Sequence, residues 1–447
     1  MPTDRDLHLN VNVLGSGSHA AAWRVSENGP FGSLSIHHYQ QIAKIAERGM
    51  LDAVFLADAL AVAPNPKLGP SWALDPMTVI AGMAAVTERI GFVATASTTY
   101  NHPYSLARTV SSLDHISSGR MGWNVVTTHD DRVAANFGQP LLPEKDSRYD
   151  RATEFVDVVR KLWDSWEEGA LVGDTSAGLY ADPDRIHAID HSGDHYAVSG
   201  PFQLPRSRQG RPLLVQAGGS EGGRDLAALH ADAVFCAQQI AEKSKLFRAD
   251  IRRRAQRFGR DPDAIAILPG LLLSIGSTEA EANARKRDLD GLAGDDRVVE
   301  RFLGRFGITS ADVELDSPIP ETLLRAIATS TKGPRGFAEA ARDLAEDRSL
   351  TVRQFIERGG GGHRLVVGVP EQIADTIEDW FRSGAADGFN IMLDVFPDGL
   401  ERFVDTVVPI LQSRGLFRRE YESATLRGHY GLFPEVHCAS EPRSQAN

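Results

Sequence analysis

The sequence predicts a (β/α)8 TIM barrel with insertions over its C-terminal mouth. Apolar strand-like runs alternate with amphipathic helix-like runs along most of the chain, and eight such strands can be counted. That alternation is typical of parallel strands joined by helices. Four successive predicted strands, the second to the fifth, end in polar residues, as expected where strand tips line a ligand site. With 447 residues, 42% of them hydrophobic, the chain is long enough for one large barrel.

The predicted elements alternate in chain order. The strands are expected at residues 7–13, 53–57, 91–96, 122–127, 212–217, 233–236, 266–273 and 388–395. The helical patterns between them lie at 36–48, 77–87, 105–116, 152–163, 222–230 and 371–383, where apolar residues recur at helical spacing.

Two connections are too long for simple crossovers. A stretch rich in Gly, Pro and Asp covers about 170–211, and a charged, helix-prone stretch covers about 277–362 and ends in four glycines. In a barrel, such insertions lie over the mouth as lids or walls, and the glycines would serve as a hinge. We therefore expect one barrel domain over 1–420 and a C-terminal extension over 421–447.

The overall charge excludes several partners. A net charge of −12 argues against nucleic acid and anionic membranes. The chain has two cysteines, which offer no disulfide framework, and it has no apolar run near the ~20 residues that span a bilayer. The N-terminal residues lack a signal-peptide pattern. A cytoplasmic protein is the expectation.

Polar side chains follow the predicted strands where each one ends. The carboxylate of Asp58 comes directly after an apolar run. The residues after it do not have the pattern of a helix start, so a helix-capping role for Asp58 is disfavoured. The third and fourth strands carry Thr95 and Ser97, and Asn124 and Thr127. Because the carboxyl ends of barrel strands meet at one mouth, these groups are candidate ligand contacts. Nearby Thr98, Thr99 and Thr128 are equally well explained as helix caps.

Two glycine-rich loops are candidate phosphate cradles. The loop at 15–20 resembles a dinucleotide fingerprint, but the helix that follows is stopped by Asn28-Gly29-Pro30, so this interpretation is disfavoured. The loop at 218–223 leads into a credible helix, whose N-terminus and Ser220 hydroxyl favour a phosphate. A tight β–α turn remains the alternative. Lys145, Arg148 and Tyr149 are candidate partners for the same phosphate, unless they lie on a solvated basic turn.

Three histidines, His187, His191 and His195, are spaced four residues apart among aspartates, which is compatible with a metal site. That spacing gathers ligands only on a helix, and residues 190–198 have the composition of a turn leading into a strand. A hairpin without a metal is the favoured interpretation.

Taken together, these motifs resemble the bacterial-luciferase superfamily of flavin-dependent monooxygenases. Within it they are most similar to the branch of nitrilotriacetate monooxygenase, dibenzothiophene-sulfone monooxygenase and pristinamycin synthase. The motifs are FLAD at 55–58, ATASTTY at 94–100, LDHISSGR at 113–120, WNVVT at 123–127, NFG at 136–138, RYDR at 148–151 and ADGFN at 386–390. The resemblance spans nearly the whole chain, and the block at 106–138 is its most specific part.

The resemblance implies a two-component monooxygenase. Reduced FMN would come from a separate NAD(P)H:flavin oxidoreductase and react with oxygen to give a C4a-peroxyflavin, which a lidded barrel protects from water. The residues that the resemblance places around the isoalloxazine and ribityl part are Asp58, Thr95, Ser97, Asn124 and Thr127. Those around the phosphate end are Tyr149, Ser220 and Glu221, with Lys145 where the family usually has a histidine. The branch motifs Arg108, Asp114 and Arg120 are interpreted as structural charges.

The substrate is a small organic molecule whose identity the sequence does not give. His19, Trp23 and His102 are the candidate substrate contacts, because they follow strands and face the mouth; packing explains Trp23 equally well. A homo-oligomer, dimer or tetramer, is expected. The competing functions are a flavin-binding barrel without oxygenase turnover and a metal-dependent hydrolase barrel.

Overall fold

The computed structural model describes residues 5–62, 66–70, 74–294, 299–300, 302–329, 335–358 and 362–432. Its strands are β1 (His8–Val13), β2 (Ala53–Leu56), β3 (Gly91–Ser97), β4 (Met121–Val126), β5 (Leu171–Asp174), β6 (Leu179–Ala181), β7 (His191–Ser192), β8 (Ala197–Val198), β9 (Leu213–Gln216), β10 (Ala233–Cys236), β11 (Ala266–Ile275), β12 (Arg364–Gly368) and β13 (Gly388–Leu393). Eight of them pair in parallel in the order β1, β2, β3, β4, β9, β10, β11 and β13, and β13 pairs again with β1. The predicted closed barrel is confirmed.

Helices connect the strands on the outside, and further helices lie in the second insertion and near the C-terminus. They are α1 (Ala22–Val25), α2 (Ile36–Arg48), α3 (Pro76–Ala84), α4 (Pro103–Ile116), α5 (Asp131–Asn136), α6 (Lys145–Asp164), α7 (Glu221–His230), α8 (Ala241–Arg257), α9 (Glu279–Ala293), α10 (Glu321–Thr329), α11 (Arg335–Ala345), α12 (Val352–Glu357), α13 (Pro370–Arg382), α14 (Asp398–Arg402), α15 (Val408–Ser413) and α16 (Leu426–His429), with a π-helical turn, Phe403–Val407, between α14 and α15. Among the described residues, we find no helix with the length and apolar character of a membrane span.

The two faces of each barrel strand meet different surroundings. In β1, Leu9 and Val11 belong to the large apolar cluster between the strands and the helices. The alternate residues of β1, Asn10 and Asn12, are also buried, so they point into the barrel. The lumen is lined by a second, smaller apolar cluster that includes Phe55 of β2.

A segment near the C-terminus closes the floor of the barrel. Leu426 and Tyr430 belong to the apolar cluster of the lumen. The Tyr430 ring stacks on His8 at 4.4 Å, and its hydroxyl accepts a hydrogen bond from Asn10 Nδ2 at 2.9 Å. A Cβ on Gly91, at the start of β3, would lie 2.4 Å from the Leu426 side chain. The part of the 421–447 extension that the structure describes therefore packs into the barrel.

The turn from α4 to β4 is held by buried charges. Asp114 accepts hydrogen bonds from Met121 N at 3.0 Å and from Gln209 Nε2 at 2.6 Å, and it also accepts one from Ser207. The Arg120 guanidinium donates to the carbonyl oxygens of Ile90 at 2.8 Å and Thr87 at 2.9 Å, among others. These contacts support the structural interpretation of both charges.

Both insertions fold into small units of their own. Residues 170–211 contain two antiparallel hairpins, β5–β6 and β7–β8. Residues 277–362 contain α9 to α12, and the helices after α9 enclose a separate apolar cluster. The second insertion meets the barrel mouth, because a Cβ on Gly219 would lie 2.8 Å from Gly336 of α11. An ion pair of 2.8 Å between Arg224 and Glu339 joins the same two elements. Three of the four hinge glycines, 359–361, lie outside the described residues.

Two differences from the predicted elements concern the mouth. Strand β12 pairs with the second half of β11 and was not predicted, because its short run RLVVG directly follows the glycines. Helix α6 begins at Lys145 and not at 152. Its first two turns carry mostly polar and exposed residues, so they lack the apolar spacing on which the prediction relied.

Candidate active site at the barrel mouth

The predicted polar residues of β3 and β4 contact one another across the two strand ends. Thr95 lies opposite Asn124 in the sheet, and its hydroxyl oxygen accepts a hydrogen bond from Asn124 Nδ2 at 2.9 Å. The hydroxyl groups of Ser97 and Thr128 are 2.6 Å apart. Four residues singled out from the sequence therefore form one polar surface in the lumen, as the convergence of strand tips requires.

Thr98 and Thr99 also bind across these strand ends and do not cap a helix. The Thr98 hydroxyl donates to the carbonyl of Val126 at 3.3 Å, and that of Thr99 donates to the carbonyl of Thr127 at 2.9 Å. The N-cap of α4 is His102, whose Nδ1 accepts from Tyr104 N at 3.3 Å. The capping alternative for these two threonines is therefore wrong.

Arg148, in the first turn of α6, holds the end of β4. Its Nη1 donates to the carbonyl of Thr127 at 3.3 Å and also to the carbonyl of Thr128. Thr128 has φ of +51°, a left-handed conformation that is uncommon for a residue with a branched side chain. Arg148 thus stabilises the backbone that directs the Thr128 hydroxyl toward Ser97.

Asp58 stands half-buried just after β2. Burial raises the pKa of its carboxyl, while a hydrogen bond from the Ala59 amide opposes the rise and the nearby Asp75 adds to it. The loop that follows Asp58 is fastened to the end of α5, since Asn136 Nδ2 donates to the carbonyl of Leu60 at 2.8 Å. The described contacts do not join Asp58 directly to the Thr95 group.

The loop at 218–223 forms the N-terminus of α7, and the Tyr149 ring lies against it. Ser220 is the N-cap, and its hydroxyl oxygen accepts from Gly223 N at 3.3 Å. A capping hydroxyl still has its own proton to donate, so the cap and the phosphate interpretations are compatible. A Cβ on Gly222 would lie 2.9 Å from the Tyr149 ring, so only glycine permits this approach. The structure therefore brings Tyr149 and Ser220 to one helix end.

Two predicted phosphate contacts are oriented differently. The Glu221 carboxylate forms an ion pair of 2.6 Å with Arg254 of α8, and a carboxylate would repel a phosphate. A contact from Glu221 would have to come from its main-chain amide. Lys145 is exposed at the start of α6, and in the described part of the chain we find no ion pair that holds its ammonium group.

The three candidate substrate contacts lie on two segments: His19 and Trp23 follow β1, and His102 precedes α4. His19 Nε2 is 3.1 Å from Asp290 of α9, and its Nδ1 accepts from Ala21 N at 3.1 Å. Trp23 has a buried Nε1 without a hydrogen-bond partner among the described residues. The exposed His102 caps α4 and meets Tyr196 edge-on at 6.2 Å.

The three spaced histidines do not converge on a metal site. His191 Nε2 is 3.0 Å from Glu154, and His187 Nε2 is 2.7 Å from a different carboxylate, Glu167. His191 begins the hairpin β7–β8, which confirms the predicted hairpin. Over the described ranges we find no cluster of three or more side chains that could hold a metal ion.

The lumen contains unpaired polar atoms on Asn124, which the sequence predicted as a cofactor contact, and on Asn12 and Asn390, which it did not. Asn12 Oδ1, Asn124 Oδ1 and both side-chain polar atoms of Asn390 are buried and lack a hydrogen-bond partner in the described part of the chain. An unpaired buried polar atom costs about 1–3 kcal/mol unless a ligand or water satisfies it. The alternation of Asn10 and Asn12 with apolar residues in β1 could have indicated Asn12, and Asn390 ends the ADGFN motif, although neither was assigned a role from the sequence.

These features fit a flavin. Orphaned amides beside the rings of Phe55 and Phe235, which meet edge-on at 5.4 Å, suit a flat heterocycle with hydrogen-bonding edges. The α7 N-terminus, with Ser220 and Tyr149, suits its phosphate. The contact of Arg148 with the end of β4 links the two regions.

Comparison with known proteins agrees. A family model for luciferase-like monooxygenases matches residues 15–387. The chain is 41% identical to nitrilotriacetate monooxygenase component A of Aminobacter aminovorans, over 99% of this chain and 100% of that one. It is 40% identical to N-acetyl-S-(2-succino)cysteine monooxygenase of Bacillus subtilis (strain 168), over 96% and 97%. A solved riboflavin lyase with modified FMN and riboflavin superposes with a TM-score of 0.81 at 30% identity, covering 97% of each chain. The chain belongs to the luciferase-like monooxygenase family and is a flavin-dependent oxidoreductase.

Proposed function

We propose that this protein is the oxygenase component of a two-component system. It takes reduced FMN from a separate NAD(P)H:flavin oxidoreductase and uses oxygen to oxidise or cleave a small organic substrate. A relative named as component A supports a separate reductase, and a structural neighbour that holds a modified FMN supports FMN as the flavin.

The observation that carries the proposal is that two different binding surfaces lie at the same barrel mouth. One is the hydroxyl and amide surface of Thr95, Ser97 and Asn124 in the lumen. The other is the α7 N-terminus, capped by Ser220 and covered by Tyr149. A molecule with a flat polar ring at one end and a phosphate at the other matches both.

When bound, reduced FMN would supply the reaction with oxygen. The Ser220 hydroxyl would donate a hydrogen bond to the phosphate while its oxygen still accepts the capping hydrogen bond from Gly223 N. The dipole of α7 would add attraction for the phosphate. Asp58 would place its carboxyl near the flavin ring. Because its pKa is raised, this carboxyl holds a proton more readily than that of an ordinary aspartate.

The second insertion would exclude water from this region. Helix α11 closes against the α7 loop through Gly336 and Glu339. Exclusion of water matters because it prevents unproductive decay of an oxygen-reactive cofactor. The substrate would enter beside the loop after β1, where His19 and Trp23 lie.

The decisive experiment supplies reduced FMN from a generic flavin reductase and screens small organic molecules for oxygen-dependent products by mass spectrometry. We expect product only when protein, reductase and oxygen are all present. Asp58→Asn should retain the fold and lose most of the product. Asp405→Asn, a half-exposed outer ion-pair residue, is the matched control and should retain it. Equal product from the Asp58 variant would contradict the site.

Ser220→Ala tests the phosphate end. Because losing an N-cap costs about 1 kcal/mol of stability in any helix, Thr278→Ala, the cap of α9, is the matched control. We expect only the Ser220 variant to bind FMN more weakly, whereas riboflavin, which lacks the phosphate, should bind both variants equally.

A flavin-binding barrel without oxygenase turnover is the competing function. Tight binding of oxidised FMN together with a broad substrate panel that gives no oxygen-dependent product would favour it.

A further inference from the structure

Strand β12 continues the barrel wall where β10 ends. β11 pairs with β10 through residues 266–269 and with β12 through residues 271–275. Since β13 occupies the other edge of β11 at 270–273, β12 lies on the same edge as β10. The residue just before β12 therefore stands at the junction, directly above the end of β10.

That residue is His363, and its ring lies in the lumen. A Cβ on Gly270 would be only 2.3 Å from His363 Nδ1, so the imidazole fills the space that a side chain at 270 would take. Gly270 lies on the inner face of β11, because Leu268 belongs to the lumen cluster and Leu271 to the outer one. His363 lies between the end of the second insertion and β12, and its side chain reaches into the lumen from there.

The His363 ring belongs to a row of aromatic rings. It stacks on Phe235 at 5.0 Å with an interplanar angle of 14°. Phe235 meets Phe55 of β2 edge-on at 5.4 Å, and Phe337 of α11 meets the other side of His363 at 5.2 Å. The row crosses the lumen to β2, the strand that Asp58 follows.

One nitrogen of His363 is left without a partner. The ring has a hydrogen bond with the main chain of Cys236, whereas Nδ1 has none among the described residues. The residue is 8% exposed, and burial lowers the pKa of the imidazole to about 4, so the ring is neutral near pH 7. Asn390, whose amide is also unpaired, lies opposite Gly270 in the sheet. The unpaired atoms of His363 and Asn390 thus flank the same inner position.

We propose that Nδ1 of His363 hydrogen-bonds the ring system of the bound flavin, with Phe235 and Phe55 as its apolar support. The proposal rests on the proposed function, because it requires a flavin in the lumen. It makes His363 a cofactor-contacting residue outside the motifs that identify the family in the sequence. A purely structural role would instead leave flavin affinity independent of Nδ1.

The test uses two variants of the full chain. His363→Phe keeps a flat ring against Phe235 but lacks Nδ1, and His363→Asn keeps a polar atom near the Nδ1 position. Oxidised and anaerobically reduced FMN are titrated into each protein and followed by fluorescence quenching, with the absorbance spectrum of bound oxidised FMN recorded at saturation.

We expect His363→Phe to bind FMN at least tenfold more weakly, with a shifted spectrum, and His363→Asn to stay within threefold of the unaltered protein. The thermal midpoint of ligand-free His363→Phe should change little, because removal of the unpaired Nδ1 offsets the loss of the hydrogen bond with the main chain of Cys236. If His363→Phe binds FMN with unchanged affinity and spectrum, or if its ligand-free midpoint falls while affinity stays constant, the proposal is overturned. If the unaltered protein binds no FMN in either redox state, the proposed function fails with it.

Discussion

The carboxylate of Asp52 at the barrel floor offers a sharp test of how the structure is held together. Asp52 is fully buried and accepts a hydrogen bond from Leu9 N at 2.6 Å. It forms an ion pair with Arg418, and His8 Nδ1 lies 3.4 Å away. Burial alone would raise its pKa, but these partners outweigh that effect and lower the pKa to about 2.

The expected energy follows from that pKa. A fall from 3.8 to about 2 corresponds to roughly 2.4 kcal/mol, at ~1.36 kcal/mol per pH unit. Because the folded pKa is lowered, this stability is present above pH 3.8 and is lost as the pH falls toward 2. Asp52→Asn also leaves a buried Arg418 without its counter-charge, which costs about 3–5 kcal/mol.

The assay is urea denaturation of the unaltered protein and of Asp52→Asn at pH 7, at pH 4 and at steps from pH 4 down to about pH 2. We expect the variant to lose about 3–5 kcal/mol at pH 7 and to show a weaker acid dependence below pH 4. Arg418→Met in both backgrounds completes a double-mutant cycle, which should give a coupling energy above ~1 kcal/mol. FMN affinity should not change, since the floor lies at the opposite end of the barrel. A loss below ~1 kcal/mol with additive variants would refute the reasoning.

Three further outcomes are expected. Burial raises the pKa of Asp114 to about 6, so this group's contribution to stability is lost as pH rises from 4 to 6; Asp114→Asn should flatten that part of a denaturation profile. Gly222→Ala should displace the Tyr149 ring and weaken FMN binding severalfold in a fluorescence titration, without lowering the thermal midpoint by more than a few degrees. The hairpin β5–β6 exposes four large apolar side chains, including Tyr180 at 71%, so we expect a dimer or tetramer in light scattering whose mass falls when Tyr180 is replaced by Glu. A monomer at micromolar concentration would contradict that last expectation.

The barrel and part of the mouth were predictable because both depend on short-range patterns. Each barrel strand is a compact apolar run followed by turn residues, and the polar residues after β3 and β4 are visible in the letters themselves. Convergence of Thr95 and Asn124 then follows from parallel pairing, which places strand ends side by side. No long-range information is needed for either step.

Other features depend on contacts between residues far apart in sequence. Ser97 meets Thr128, but only the left-handed φ of Thr128 directs its hydroxyl there. Glu221 follows the candidate phosphate loop, yet its carboxylate turns to Arg254 on the next helix. His363 follows glycines that offer no pattern, and its place in the lumen depends on β12 continuing an edge of β11.

The closed floor has a consequence for how the chain is made. His8 and Asn10 lie on β1, yet Tyr430, which covers both, is synthesised some four hundred residues later. During translation the inward side of β1 therefore has no native neighbour from β13 or from the C-terminal segment. Such remote pairing slows folding and prolongs the exposure of apolar surface, so we expect the barrel to close only after the C-terminal segment has been made.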